Sequence, residues 1–156
     1  MLSSLGFPAP PFAVSEVAKT ARSVNLKKMG VLNKDISEVI AGMGHMDMLV
    51  IADAGLPIPR QVRRIDLAVK EGVPGFLGTV EAIAGELQVQ RIIVAKETGE
   101  ISPHIEQALM KMFEGVEVET VSHAALKELC KEAVAIVRTG EFTPYANVIM
   151  VSGVLF

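Results

Sequence analysis

With 156 residues and a net charge of −3, the chain is the size of one domain and lacks the basic excess that binds a nucleic-acid backbone. Half of its residues are hydrophobic but only 4% are aromatic, so the core must be built from Val, Ile, Leu, Ala and Met, with no platform for stacking bases. The single cysteine, Cys130, excludes an internal disulfide and a cysteine-rich metal site, and no apolar run reaches the roughly 18–20 residues of a membrane span. So apolar a chain without a membrane span points to surface hidden in an oligomer. No basic residue precedes an apolar stretch at the start, so the expected compartment is the cytoplasm.

Residues 1–25 read as an N-terminal extension, either flexible or a mis-assigned translation start. Pro8, Pro10 and Pro11 interrupt regular structure there, and Ser15 to Arg22 suits a short helix. The body begins near Leu26. Asn33 caps a helix with apolar positions Ile36, Val39, Ile40 and Met43, Asp35 in its first turn, and Gly42 and Gly44 as its stop. His45 follows, on the connection into Met48 to Ala52, a continuous apolar run suited to a strand buried on both faces. A turn-rich loop, Asp53 to Pro59, comes next. Arg60, Arg63 and Arg64, the one basic cluster, read as a solvated face or an interface rim.

Ile65, Leu67 and Val69 alternate as in a strand, and Thr79 to Leu87 reads as a helix. Ile92 to Ala95 is a second buried strand. Ser102 and Pro103 start a helix that runs to about Phe113 and buries Ile105, Leu109 and Met112. Val116, Val118 and Thr120 form a strand, and Ser122 caps a helix from His123 to Glu132 on whose apolar side Cys130 falls. Val134 to Val137 and Asn147 to Val154 are the last strands. Strands alternating with helices predict an α/β layered fold with a mostly parallel sheet flanked by helices. In such folds ligands gather at the carboxyl ends of strands, where Asp53 and the loop Thr139 to Tyr145 fall. The apolar ending Val154-Leu155-Phe156 is expected to pack against its own subunit or a neighbour.

There is no phosphate-binding loop, nucleophile elbow or metal-ligand spacing, and Gly42-x-Gly44 continues to Asp47 instead of a third glycine. The chemistry is therefore expected to need no cofactor, no metal and no covalent intermediate. Of the three histidines, His104 sits in the first turn of a helix and reads as exposed. His45 stands in Gly44-His45-Met46-Asp47, where Asp47 can hydrogen-bond its ring or merely close the turn. His123 opens a helix, whose dipole disfavours the imidazolium. Asp53 can accept bonds from sugar hydroxyls or cap its own turn. Tyr145, the only tyrosine, offers a flat face and a phenol with Asn147 two residues on.

Three stretches, Gly44 to Asp47, Ile51 to Pro57, and Arg138-Thr139-Gly140-Glu141-Phe142-Thr143-Pro144-Tyr145-Ala146-Asn147, resemble the D-ribose pyranase family, the ribose-operon mutarotases related to fucose mutarotases. The ending Gly153 to Phe156 fits as well. The last stretch is the most specific, and together they make residues 26–156 a single pyranase domain. The resemblance implies that His45 is the catalytic proton donor. It implies that Asp53, His123 and the segment Tyr145-Ala146-Asn147 bind substrate. It further implies rings, commonly homodecamers, with sites at subunit contacts and the C-terminal segment near a neighbour's histidine. Met46 departs from the pattern, since a small polar residue is common at its position. Family members begin close to Leu26-Lys27-Lys28, so Leu26 is the expected natural start.

The expected function is interconversion of the pyranose and furanose forms of free D-ribose by acid–base ring opening and closure. The segments Ala54 to Pro57 and Phe142 to Tyr145 side with the ribose branch over the fucose branch. An anomer mutarotase for fucose, or a non-catalytic sugar-binding partner of a ribose transport system, are the alternatives.

Overall fold

A computed structural model describes residues 27–156. The expected extension 1–25, with its short helix, lies outside the described residues. In chain order the elements are α1 (Lys34–Gly42), β1 (Met48–Ala52), β2 (Arg63–Asp66), α2 (Phe76–Ala84), β3 (Val89–Ala95), α3 (Lys96–Ile101), α4 (Pro103–Met112), β4 (Glu117–Val121), α5 (His123–Leu129) with a 3₁₀ turn (Cys130–Glu132), β5 (Ala135–Arg138) and β6 (Val148–Ser152). The six strands make one sheet in the order β2-β5-β1-β6-β3-β4.

The sheet is mostly parallel, as expected: β2 with β5, β5 with β1, and β3 with β4 run together. The final strand is the exception. β6 inserts between β1 and β3, antiparallel to both, in the middle of the sheet. The antiparallel register pairs Ile51 with Val148. The carboxyl end of β1 therefore lies beside the start of β6, and Asp53 meets the segment that precedes Val148.

Each central strand splits its apolar side chains between two faces, as the period of two requires. Leu49, Ile51, Ile92, Val94, Val137, Val148 and Met150 join Ile36, Val39, Phe76, Val80, Ile83, Ile105 and Leu109 on the face covered by α1, α2 and α4. Val50, Ala52, Ile93, Ile136, Ile149 and Val151 face Leu56, Val62, Leu126 and Cys130, a smaller cluster covered by α5 and its 3₁₀ turn. Burial pushes the Cys130 thiol up to about 11, in keeping with a core residue.

Local signals explain most boundaries. Asn33 Oδ1 accepts the Ile36 N–H at 3.0 Å, and Ser122 accepts the Ala125 N–H at 3.1 Å, so both expected caps form. The expected strand through Val69 stops at Asp66, whose carboxylate accepts the Ala68 N–H at 3.1 Å and turns the chain, leaving Val69 exposed. α2 starts three residues before Thr79, because the Phe76 N–H is capped by Glu141 Oε2 at 3.0 Å, a residue 65 positions away. α3 was not expected. Ser102 stands at the N-cap of α4, yet its hydroxyl caps nothing there. Met112 is only half-buried. Arg63 pairs with Asp35 and Glu38 at 3.1 and 3.0 Å while Arg60 and Arg64 are exposed, which suits a solvated face and an interface rim alike.

Leu126 is fully buried on the one regular helix of the smaller cluster. Replacing it by Ala is expected to cost about 2–5 kcal/mol. A thermal melt with an unchanged midpoint would contradict this packing.

Candidate functional site

The carboxyl ends of β1 and β5 open into a cavity of about 520 Å³, within the size range of small-molecule sites. Its wall includes Asp53, Leu56, His123, Glu141, Thr143 and Tyr145. Asp53 and Asn147 clasp each other there. The Asn147 Nδ2–H donates to Asp53 Oδ2 at 3.0 Å, and the Asp53 N–H donates to Asn147 Oδ1 at 2.9 Å. The Gly55 N–H donates to Asp53 Oδ1 at 2.9 Å, so the carboxylate does cap its own turn. A carboxylate has about four acceptor positions. Two are taken by the protein, which leaves Asp53 able to receive hydroxyls.

His123 is the first residue of α5, and its N–H donates to Glu97 Oε2 at 2.9 Å. Its ring meets Tyr145 edge to face, with centroids 4.9 Å apart and planes at 84°. Its Nδ1 is buried without a hydrogen-bond partner among the described residues, although the residue itself lines the cavity. Tyr145 has a left-handed backbone, φ 61°, which costs a bulky residue of order 1–3 kcal/mol and concentrates at functional sites. The Thr98 hydroxyl donates to the Tyr145 carbonyl at 2.8 Å and the Ser102 hydroxyl to that of Pro144 at 2.7 Å. Ala146 is fully buried with its methyl in the core and does not line the cavity.

Glu141 organises the loop over the cavity. Its Oε2 accepts the Phe76 N–H, and its Oε1 accepts the Thr143 N–H and hydroxyl at 3.1 and 2.7 Å. Burial alone would raise its pKa, but these bonds outweigh burial and hold the carboxyl below its usual value. Arg138 Nε donates to the Ala54 carbonyl at 3.0 Å while its guanidinium grips Asp66 at 3.1 and 3.2 Å.

His45 is elsewhere. It is exposed in the loop that enters β1, whereas Asp53 follows the strand's exit. Five strand residues at roughly 3.3 Å each place them about 16 Å apart or more. The single chain thus brings Asp53, His123, Tyr145 and Asn147 together and leaves His45 outside. Asp47 does not touch the His45 ring: its Oδ2 accepts the Gly44 N–H at 2.7 Å, closing the turn. The ring instead has Nε2 3.0 Å from Gln90 Oε1, and Gln90 Nε2 lies 2.8 Å from Met46 Sδ. Met46 has φ 71°, a conformation that small polar residues tolerate better than methionine.

Residues 26–155 match the model of the RbsD / FucU transport protein family. The chain belongs to this family. It is 56% identical over 131 residues to a D-ribose pyranase of Symbiobacterium thermophilum and 55% identical to one of Chloroflexus aggregans, each comparison covering 84% of this chain and all of the relative. Among solved structures it is similar to Bacillus subtilis RbsD complexed with D-ribose, with a TM-score of 0.82, 45% identity, and coverage of 84% of this chain and all of the other. The fucose mutarotase of Streptococcus pneumoniae, in complex with L-fucose, gives a TM-score of 0.71 at 26% identity with the same coverage. The RbsD / FucU match covers all of the described residues but Phe156.

Thr98, Ser102 and the structural part played by Glu141 and Arg138 escaped the sequence reading. Glu141 and Arg138 lie inside the recognised stretch, but nothing local tells that Glu141 caps a helix 65 residues away. For Glu141 the pH dependence has a definite sign. With its pKa depressed in the folded state, its contribution is complete above the unfolded value of 4.5 and is lost as pH falls through the lower folded value. Glu141→Gln cannot accept at both oxygens, so its melting temperature is expected to lie below wild type at pH 7. The gap should shrink as the pH falls below 4.5. A gap independent of pH would contradict the assignment.

Proposed function

We propose that this chain is an intramolecular isomerase that interconverts the pyranose and furanose forms of free D-ribose. The observation that carries this reading is full-length identity of 56% to a D-ribose pyranase, joined to a cavity whose wall presents Asp53, His123 and Tyr145, with Asn147 clasped to Asp53 behind them. No residue of that set requires a metal. Among the described residues no group of three or more His, Cys, Asp or Glu side chains is placed to hold one.

A pyranose is a cyclic hemiacetal. Ring opening delivers a proton to the ring oxygen and removes one from the anomeric hydroxyl, giving an open aldehyde. The 4-hydroxyl then adds to the aldehyde carbon, giving up its proton while the carbonyl oxygen gains one. The sugar ends with the protons it began with, so the protein need only lend and recover them. His45 is the proton donor. Asp53, His123, Tyr145 and Asn147 bind hydroxyls and hold the open aldehyde for closure. Positioned proton transfer contributes about 10²–10⁴-fold, which suits a reaction with an accessible uncatalysed path.

His45 reaches this cavity from a second copy of the chain. The position of His45 at the far end of β1 supports this, as does the ending of the chain, where Leu155 is 86% and Phe156 104% exposed. The described residues leave the tail uncovered, which favours the neighbour of the two expectations for it. A ring oligomer, in the expected form of a homodecamer, joins each His45 to the next cavity. No helix among the described residues is long and apolar enough to cross a membrane, and the cytoplasm is the proposed location.

Saturation-transfer NMR between the pyranose and furanose signals of D-ribose tests the reaction. Wild type should accelerate exchange and His45→Ala should not. No acceleration by assembled wild type would sink the reading for ribose, and acceleration confined to L-fucose would move it to a fucose-type mutarotase. Ribose binding that survives His45→Ala, with no faster exchange from wild type, would make it a binding protein. The shared site has its own check. Inactive His45→Ala and Asp53→Asn chains should regain exchange activity when assembled together, because some contacts then join two intact halves. Mixed rings without activity would rule the shared site out.

A further inference from the structure

We propose that Thr98 and Ser102 are positioning residues that hold the sugar-binding turn at Tyr145 from behind. The idea rests on the cavity's reading as a sugar site. Thr98 is 0% and Ser102 2% exposed, and neither lines the cavity. Their hydroxyls donate to two consecutive carbonyls, those of Tyr145 and Pro144. These carbonyls flank the left-handed residue of the turn.

Both hydroxyls pass over a partner closer in sequence. A serine at an N-cap ordinarily accepts a helix N–H, and Ser102 stands at the N-cap of α4 without doing so. A threonine within a helix commonly bonds the carbonyl one turn back, whereas Thr98 donates to a residue 47 positions away. The two bonds therefore tie the α3–α4 junction to the loop before β6. The Tyr145 carbonyl also accepts the Asn147 N–H at 2.9 Å. Fixing the two carbonyls sets the turn, which places the phenol ring against His123 and the Asn147 amide against Asp53. The ring atoms and hydroxyls of a bound sugar would meet groups whose positions depend on two buried hydroxyls that never touch it.

This arrangement predicts a split in the kinetics. The hydroxyl-binding groups depend on Thr98 and Ser102, while the proposed proton donor His45 sits at the other end of β1. Thr98→Val and Ser102→Ala should each weaken D-ribose binding about three- to tenfold, the loss of one buried hydrogen bond. Exchange at saturating ribose should change much less. Thr98→Ser keeps the hydroxyl and loses a buried methyl, so it should melt lower than wild type yet bind ribose as well.

Calorimetry with D-ribose on the assembled protein reads the affinities. NMR of selectively labelled His and Tyr in the sugar-free protein reads the His123–Tyr145 stacking directly. Altered ring signals in Thr98→Val and Ser102→Ala, with wild-type signals in Thr98→Ser, support the positioning role even if wild type proves not to bind ribose, which would sink the sugar reading alone. Variants that melt lower while ribose affinity and ring signals stay at wild-type values would overturn the proposal.

Discussion

The site depends on a clasp between two side chains 94 residues apart. Asp53 ends the first strand and Asn147 precedes the last, and each donates one hydrogen bond to the other. Bonds that involve a charged group contribute about 1.5–3 kcal/mol each. A side-chain amide held at both ends has one orientation, so the clasp also decides which way the Asp53 carboxylate faces. It exists because β6 runs antiparallel into the centre of the sheet. Had the last strand joined an edge in parallel, Asn147 would lie at the opposite end of the sheet from Asp53.

Around the clasp, four side chains tie the loops of the site to their surroundings. Glu141 anchors the loop before β6 to the start of α2, Arg138 ties β5 to the loop after β1, and Thr98 and Ser102 hold carbonyls of the loop before β6 from the α3–α4 junction. The Arg138–Asp66 pair is 32% and 41% exposed, so its Coulomb energy is small and its value is geometric. Such a loop can sustain a tyrosine at positive φ. An unsupported loop would relax the strain by rotating the ring away from His123.

Short-range signals were legible in the sequence and long-range ones were not. Asn33 and Ser122 announce their helices because cap and capped N–H lie three residues apart. The apolar run Met48 to Ala52 marks a central strand by composition alone, and Asp53 follows from being its next residue. The start of α2 was missed because its cap comes from Glu141, and the mid-sheet place of β6 because pairing order leaves no local trace in an apolar strand. Ser102 misled: a serine before a proline is the ordinary helix start, and only the folded chain shows its hydroxyl turned to Pro144. The histidines divide in the same way. His104 was legible as exposed, whereas the unpartnered Nδ1 of His123 becomes visible only with the cavity around it.

On the proposed reading the two halves of the reaction have opposite structural demands. Recognition of a sugar needs several acceptors and donors fixed to within a fraction of an ångström, and the clasped, buried network inside one chain supplies that. Proton delivery needs a group that can exchange protons with water between turnovers, and His45 on its exposed loop has that access. A single chain cannot meet both demands at one point, because the strand that orders Asp53 carries His45 to its far end. In the proposed ring the conflict does not arise, because there a neighbour's accessible imidazole meets a rigid pocket without loosening it. The oligomer is then part of the chemistry, since the monomer holds each half of the machinery at opposite ends of the same five-residue strand.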